Sequence, residues 1–440
     1  MFTFPKDEEL TAEDLAGFIE QHRERIARYN RLKNMYLGDY EILHEDDKDY
    51  GKPDNRLVVN FAKYIVDTLN GYFIGHPIKT IHPDEDISER MRDIAKRNNQ
   101  NDNNAELSKL CSIYGHAYEF LYQDGDANTR VTYIEPQNAF VIYDDTIAQE
   151  PLYGVYLKND EEGILYSIDD EKDFTIEDDE VSFSDERVHY FEDVPIIEYV
   201  ENNERQSVFE NVETLINAYN KALSEKANDV DYFADAYLAI LGVELDEDTI
   251  QNIRDNRIIN LKDGDTNKII VEFLDKLNAD GTQENLIERL ETLIFQISMV
   301  SNINDETFGS SSGISLRYKL QSMENLTLMK ERKFNAGMVK RFKMMFAIPT
   351  NFKGDKEGYL DIDYVFTRNI PNNIEEEAKT AQALTGIASH STILGSLSIV
   401  ENVADELNQI EEEREQQAIN SFNRDVNTPI VEVIEDEQTQ

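Results

Sequence analysis

The sequence predicts an α+β protein whose helices and strands are segregated along the chain. Three observations carry this. Apolar residues recur every three or four positions through most of residues 11–115 and again from residue 207 onward, the spacing of half-buried helices. Between about His116 and Val200 the period shortens towards two, in short segments rich in Tyr, Val, Ile and Phe. After a long helical stretch, one alternating run, Gly358–Thr367, comes back to that pattern. Segregated runs mark α+β architecture rather than repeating βαβ units.

Taken in order, Thr11–Leu37 predicts a helix: Thr11 caps it with Asp14 three residues on, Leu15, Phe18, Ile19, Ile26 and Tyr29 share a face, and Gly38 stops it. An acidic loop (39–54) follows. Asn60–Phe73 is apolar and helical, closed by Gly75 and Pro77. Two further helices, near 86–97 and 103–115, flank a turn-rich NNQNDNN spacer. The stretch 116–200 predicts an antiparallel meander with strands at 116–122, 130–134, 139–143, 152–157, 164–168 and 187–191, its DDEKDF and EDDE runs forming solvated hairpin ends.

Ser207–Leu238 predicts a helix about 48 Å long, with Val208, Val212, Leu215, Tyr219, Leu223, Ala227, Val230, Ala234 and Tyr237 as its stripe. A mixed insertion (239–281) holds two strand-like pieces, Arg257–Leu261 and Lys268–Phe273, around a Lys-Asp-Gly-Asp turn. Helix resumes over Gln283–Ile303, with Leu286, Leu290, Leu293, Ile297 and Val300 on one face. Residues 304–314, NDETFGSSSGI, break the pattern, and Ser315–Phe346 predicts another helix of about 48 Å weakened at Gly337. Gly358–Thr367 predicts a strand returning to the β region. Helices follow at 374–386 and 398–420, joined by SHSTILGS, and the last twenty residues lack periodicity and read as disordered.

Composition narrows the function. Against 89 acids there are 43 Lys and Arg, a net charge of −46, which argues against gripping nucleic acid because phosphate neutralisation needs surplus cations. It is compatible with surrounding DNA behind like-charge walls. Cys111 is the only cysteine, so no internal disulfide forms and a small buried hydrophobe is expected. The first residues carry no secretory pattern, and no stretch is apolar enough to span a bilayer, which predicts a soluble protein made in the cytoplasm.

Within this acidic chain, Ser315–Phe346 is +6: Arg317, Lys319, Lys330, Arg332, Lys333, Lys340, Arg341 and Lys343 face only Glu324 and Glu331. A loop of small polar residues leading into a basic helix reads as a moving part rather than a catalytic centre. No phosphate-binding glycine loop and no metal-ligand spacing is present, so no metal or cofactor is expected. Acid pairs (Asp46/Asp47, Asp144/Asp145, Glu161/Glu162, Asp178/Asp179) are what 89 acids produce by chance, although a carboxylate-dependent nuclease or hydrolase stays open. So does an acidic scaffold-like protein without a channel.

Two stretches resemble the tailed-phage portal (head–tail connector) family, in its siphophage branch of Gram-positive hosts. Residues 51–78 are similar to an N-R-x-x-x-N element leading into an apolar helix that ends G-Y-x-x-G-x-P, carried here by Asn55, Arg56, Asn60, Gly71, Tyr72, Gly75 and Pro77. Residues 304–316 resemble the F-G…S-G segment between a stem helix and the tunnel helix: Asn304, Asp305, Glu306, Thr307, Phe308, Gly309, Ser310, Ser311, Ser312 and Gly313.

The resemblance implies a portal fold with an α/β wing (1–206 and 347–370), stem helices (207–238 and 283–303) and a small α/β clip (239–282). It further implies a DNA-facing tunnel loop (304–314), a kinked tunnel helix (315–346), a helical crown (371–420) and an acidic tail (421–440). It also implies a ring, usually of twelve copies, at one capsid vertex, conducting double-stranded DNA and hydrolysing nothing. Its partners would be the large terminase subunit, a head-completion adaptor, and scaffolding and major capsid proteins. The basic helix is expected to meet acidic groups across a subunit interface more than phosphate.

Overall fold

The computed structural model describes residues 1–48, 52–234, 238–241, 270–273, 280–303, 313–353, 356–369, 374–397, 399–400 and 403–426. The chain divides into two units, Met1–Asn369 and Ile370–Gln440. The first opens with β1 (Phe2–Phe4), α1 (Ala12–Leu37), α2 (Phe61–Ile74), β2 (Lys79–Ile81), α3 (Glu85–Arg97) and α4 (Gln100–Tyr114). Strands β3 (His116–Gln123), β4 (Thr129–Ile134), β5 (Ala139–Asp144), β6 (Pro151–Leu157), β7 (Glu162–Tyr166), β8 (Asp170–Glu177), β9 (Glu180–Val188) and β10 (Ile196–Val200) follow. Then come α5 (Glu213–Ala234), β11 (Leu238–Leu241), β12 (Ile270–Phe273), α6 (Asp280–Ser298), α7 (Gly313–Ala347) and β13 (Asp363–Val365).

Helix α1 begins as the sequence predicts. Thr11 and Asp14 form a reciprocal capping box, and Gly38 ends the helix in the left-handed conformation at φ 89°. Its apolar face, with Leu15 and Ile19, packs in the core of a six-stranded sheet ordered β1-β5-β6-β7-β8-β9. Strands β5 to β7 fall where expected and, with β8 and β9, which the expectation lacked, form an antiparallel meander, while β1 adds to β5 in parallel, a strand too short to show a period. Its Phe2 and Phe4 are buried against Phe18 and Phe140. The β region is two sheets, since β10, β3 and β4 pair separately.

Two strand expectations are corrected. The acidic run DDEKDF lies mostly inside β8, because neighbouring strands bring cations to it: Arg187 of β9 donates to Glu171 and Asp173 at 2.6 Å each, and Lys158 reaches Asp173 at 3.1 Å. Only the EDDE run is a hairpin end. The piece proposed at 187–191 is the end of β9 and a loop, and the strand after it is β10.

Helix boundaries also move. The spacer 98–104 is largely helical, since α4 starts at Gln100, whose side chain bonds Asn104 one turn on at 2.9 Å. The long helix starts at Glu213 rather than Ser207. The Ser207 amide donates to the Glu210 carboxylate (3.1 Å) and the Val208 amide to the Ser112 carbonyl (3.1 Å), which holds the chain in a turn. At its other end Leu238 belongs to β11, so α5 spans 22 residues, about 33 Å. The partner of β12 is β11, and Arg257–Leu261 lies outside the described residues. Helix α6 ends at Ser298, where Met299 takes φ 60°. Gly358–Thr367 yields only a 3-10 turn and β13, which pairs with β2 and not with the meander.

The second unit holds α8 (Ile374–Leu384), α9 (His390–Gly395) and α10 (Val403–Val426). The SHSTILGS connector is itself a short helix, started by Ser389, whose hydroxyl accepts the Thr392 amide at 3.3 Å. The last helix continues to Val426, beyond the expected 420, and residues 427–440 lie outside the described ones.

Candidate functional site

Helix α7 joins the parts of the first unit, and two of its eight cations are buried. Lys330, 2% exposed, donates to Glu201 (2.5 Å), the Ser112 hydroxyl (2.6 Å) and the Ser108 carbonyl (3.1 Å). Arg341 forks onto Glu119, from its Nε at 2.8 Å and its Nη2 at 2.6 Å, and also reaches Asn104. Tyr199 donates to the same Glu119 carboxylate at 3.0 Å. Each buried charge therefore has a counter-charge and further hydrogen bonds, the condition under which a dry ion pair is tolerated.

Between the two pairs, Gly337 lets the Tyr199 ring touch the helix. A Cβ there would stand 2.4 Å from the ring. Helix α7 runs unbroken through this glycine, so the weak point expected from sequence is a close-packing point instead.

The remaining cations divide by face. Lys343 pairs with Asp193 at 2.6 Å and Lys333 with Asn203, both near the surface, where such contacts add at most about 1 kcal/mol. Arg332 is exposed and Lys340 half-buried, on the face that also carries Tyr318, Asn325 and Met329. The Lys319 carbonyl accepts the Ser301 hydroxyl at 2.9 Å. Only the backbone of Arg317 is described, and of the loop 304–313 only Gly313, the first helical residue. The basic stripe is thus not one surface: Lys330 and Arg341 are taken up by Glu201 and Glu119 of the same chain.

The signature residues knit α2 to everything around it. Asn60 caps α2, accepting the Lys63 amide (3.0 Å) and the Tyr40 hydroxyl (3.1 Å) while donating to the Tyr36 carbonyl (2.9 Å). Burial pushes the Tyr40 phenol up to about 12. Tyr72 donates to Glu324 of α7 at 2.6 Å, and Arg368 bridges Glu324 and Glu331. Gly75 clears the way for Asn369, since a Cβ would lie 2.7 Å from its amide nitrogen. Gly71 meets nothing within 4 Å, and Pro77 is exposed ahead of β2. Arg56 pairs with Asp54 (2.7 Å) and Asp47 (2.9 Å).

Ahead of α2, residues 55–59 lie along α5 as a strap. The amides of Asn55, Leu57 and Val59 donate to Asn228 (2.6 Å), Ser224 (2.9 Å) and Asn220 (2.8 Å). The match is metric: two extended residues advance about 6.6 Å and four helical residues about 6 Å. Sequence reasoning followed the apolar stripe of α5 and passed over this polar row, whose four-residue spacing is legible. It also missed Glu119, Tyr199 and Glu201, which no local pattern distinguishes from other strand residues.

Helices α5 and α6 keep apolar residues outside. Helix α6 buries Ile287, Leu290, Ile294 and Ser298, whereas Leu286 is 52% and Ile297 46% exposed. On α5, Val230 is 60% exposed while Asn220, Ser224 and Asn228 are buried. Cys111 is buried, its thiol pushed up by burial and donating to the Tyr199 carbonyl at 3.4 Å. Among the described residues no three or more His, Cys, Asp or Glu could hold a metal, and no helix is long and apolar enough to cross a membrane. The acid pairs sit in turns or ion pairs: Asp144 bonds Thr146, Asp47 bonds Arg56, and Asp179 bonds Arg23.

This arrangement defines a structural class of protein, in which long helices are locked into a β-rich body by buried polar contacts. The family model for phage portal protein, SPP1 Gp6-like, matches residues 16–419, and the chain belongs to that family. A relative described as "Portal protein", from Clostridium phage phiCD119, is 21% identical over 445 residues, covering 92% of this chain and 97% of the relative. The function is that of a phage portal, and the family is one of structural components of the virion capsid.

Proposed function

We propose that about twelve copies close into a ring at one capsid vertex and conduct double-stranded DNA inward during packaging and outward at ejection. In this reading residues 1–206 and 347–370 form the wing, α5 and α6 the stem, and 239–282 the clip outside the capsid, which receives the large terminase subunit and then the head-completion adaptor. Residues 304–314 form the tunnel loop, α7 the tunnel helix, and 371–420 the crown; the wing meets scaffolding and major capsid proteins. The ring carries no ATPase of its own and depends on the terminase for work.

The observation that carries this reading is the exposure of Val230, Leu286 and Ile297 on the two stem helices. Fully burying such a side chain gains about 1.5–3 kcal/mol. Each is already half covered, so a neighbour adds about 1 kcal/mol per residue, repeated at every interface of a closed ring. With −46 on each copy, the channel repels rather than grips a duplex.

Electron microscopy of the purified full-length protein tests the reading: annular particles with a central hole support it, and solitary or merely elongated particles oppose it. The double variant Leu286→Asp, Ile297→Asp should lose the rings while keeping the unfolding temperature of the subunit.

A further inference from the structure

We propose that Tyr64 is a positioning residue that fixes the point from which the chain leaves α6 for the segment 304–312, a role that rests on the reading of that segment as the DNA-facing loop. Tyr64 stands on α2, one turn after the Asn60 cap. Its hydroxyl accepts the Ile303 amide at 2.9 Å and donates to the Ser301 carbonyl at 3.4 Å. One phenol oxygen therefore holds the chain on both sides of Asn302 as it leaves α6. The Ser301 hydroxyl in turn donates to the Lys319 carbonyl of α7 at 2.9 Å. Tyr64, Ser301 and Lys319 form a two-link chain from α2 across the exit of α6 to the start of the basic helix, drawing together residues 18 apart in sequence.

The ring of Tyr64 has a separate task. It meets Phe295 of α6 edge-on, centroids 5.6 Å apart at 80°, and Phe295 also meets Phe61 of α2 at 5.7 Å. Packing of this kind needs only an aromatic ring, and a phenylalanine supplies it. The hydroxyl adds nothing to that packing. What it does is satisfy backbone groups of a connection that has already left its helix through Met299, in the left-handed region at φ 60°. Helix α2 is itself anchored at both ends, by Asn60 to α1 and by Tyr72 to Glu324, so the point from which Tyr64 reaches out is fixed. Whatever position residues 304–312 adopt, they start from Ile303 and return to a helix tied to Ser301.

The test is Tyr64→Phe in the full-length chain, which keeps the ring and removes the oxygen. Imaged particles and the unfolding temperature should match the parent protein. Hydrogen exchange over residues 300–303 should quicken about tenfold, the worth of one backbone hydrogen bond, with α4 and the β3 sheet unchanged. The yield of DNA-filled heads, in cells where the variant is the sole copy, should fall in parallel. Ser301→Ala, which removes the bond to Lys319 and keeps both bonds of Tyr64, should leave exchange at Ile303 unchanged while the yield of filled heads falls.

Unchanged exchange at Ile303 overturns the clamp. Faster exchange with a normal yield of filled heads overturns the positioning role. Should the parent chain itself fill no heads, the portal reading fails, and the exchange measurement still decides the clamp.

Discussion

Lys330 and Arg341 share a helix and a charge with Arg332 and Lys343, yet physically they are different kinds of residue. The first two are dry and hydrogen-bonded to Glu201 and Glu119; the others sit at the surface. Removing one partner of a buried pair strands the other charge, so Lys330→Met should cost about 3–5 kcal/mol in denaturant unfolding, against less than about 1 for Lys343→Met. Sequence could count these cations but not sort them, because sorting depends on which strand lies opposite. Glycine divides in the same way. Gly337→Ala drives a methyl into Tyr199 and should destabilise by about 1–3 kcal/mol, whereas Gly17→Ala, open on α1, should stabilise by up to about 1.

His116 makes the fold sensitive to acid. Burial lowers it to about 4 from an ordinary 6.5, with Arg205, Arg28 and Arg25 also disfavouring its proton and Glu198 favouring it. Because the folded value is depressed, its contribution is complete above about pH 6.5 and is lost as pH falls towards 4. The difference corresponds to about 3 kcal/mol. His116→Gln should flatten the stability profile across that window; an unchanged slope would place the acid sensitivity elsewhere.

Elements were legible where one period ran long enough. The capping box of α1 and the strands β3 to β7 follow from local spacing. Boundaries failed where a distant group decided them: Ser207 is held in a turn by the Glu210 carboxylate, itself taken up by Arg28 of α1, and the acids of β8 are neutralised by Arg187. The pairing of β13 with β2 joins residues far apart in sequence, which periodicity does not reveal. At this scale the strap gives a sharp prediction. Leu57→Pro deletes the amide that bonds Ser224, whose hydroxyl keeps its bond to the Asn220 carbonyl, and should cost about 0.5–1.5 kcal/mol. Val58→Pro, one residue on and without such a bond, should cost clearly less in the same unfolding assay. Equal costs would mean that the strap is held by side-chain packing and not by its amides.

For the whole molecule, the apolar stripes read from sequence on α5 and α6 coincide only in part with the faces the subunit buries. Helix α5 turns polar Asn220, Ser224 and Asn228 inward and leaves Val230 out; α6 turns Leu286 and Ile297 out. In the proposed ring a neighbouring copy would cover those residues with one repeated contact. The mass of the purified full-length protein in solution, followed over a wide range of concentration, measures this most directly. The account predicts one closed species of about twelve times the 50.9 kDa subunit, which the double variant Leu286→Asp, Ile297→Asp dissociates without unfolding. A protein that stays at 50.9 kDa at every concentration would contradict it.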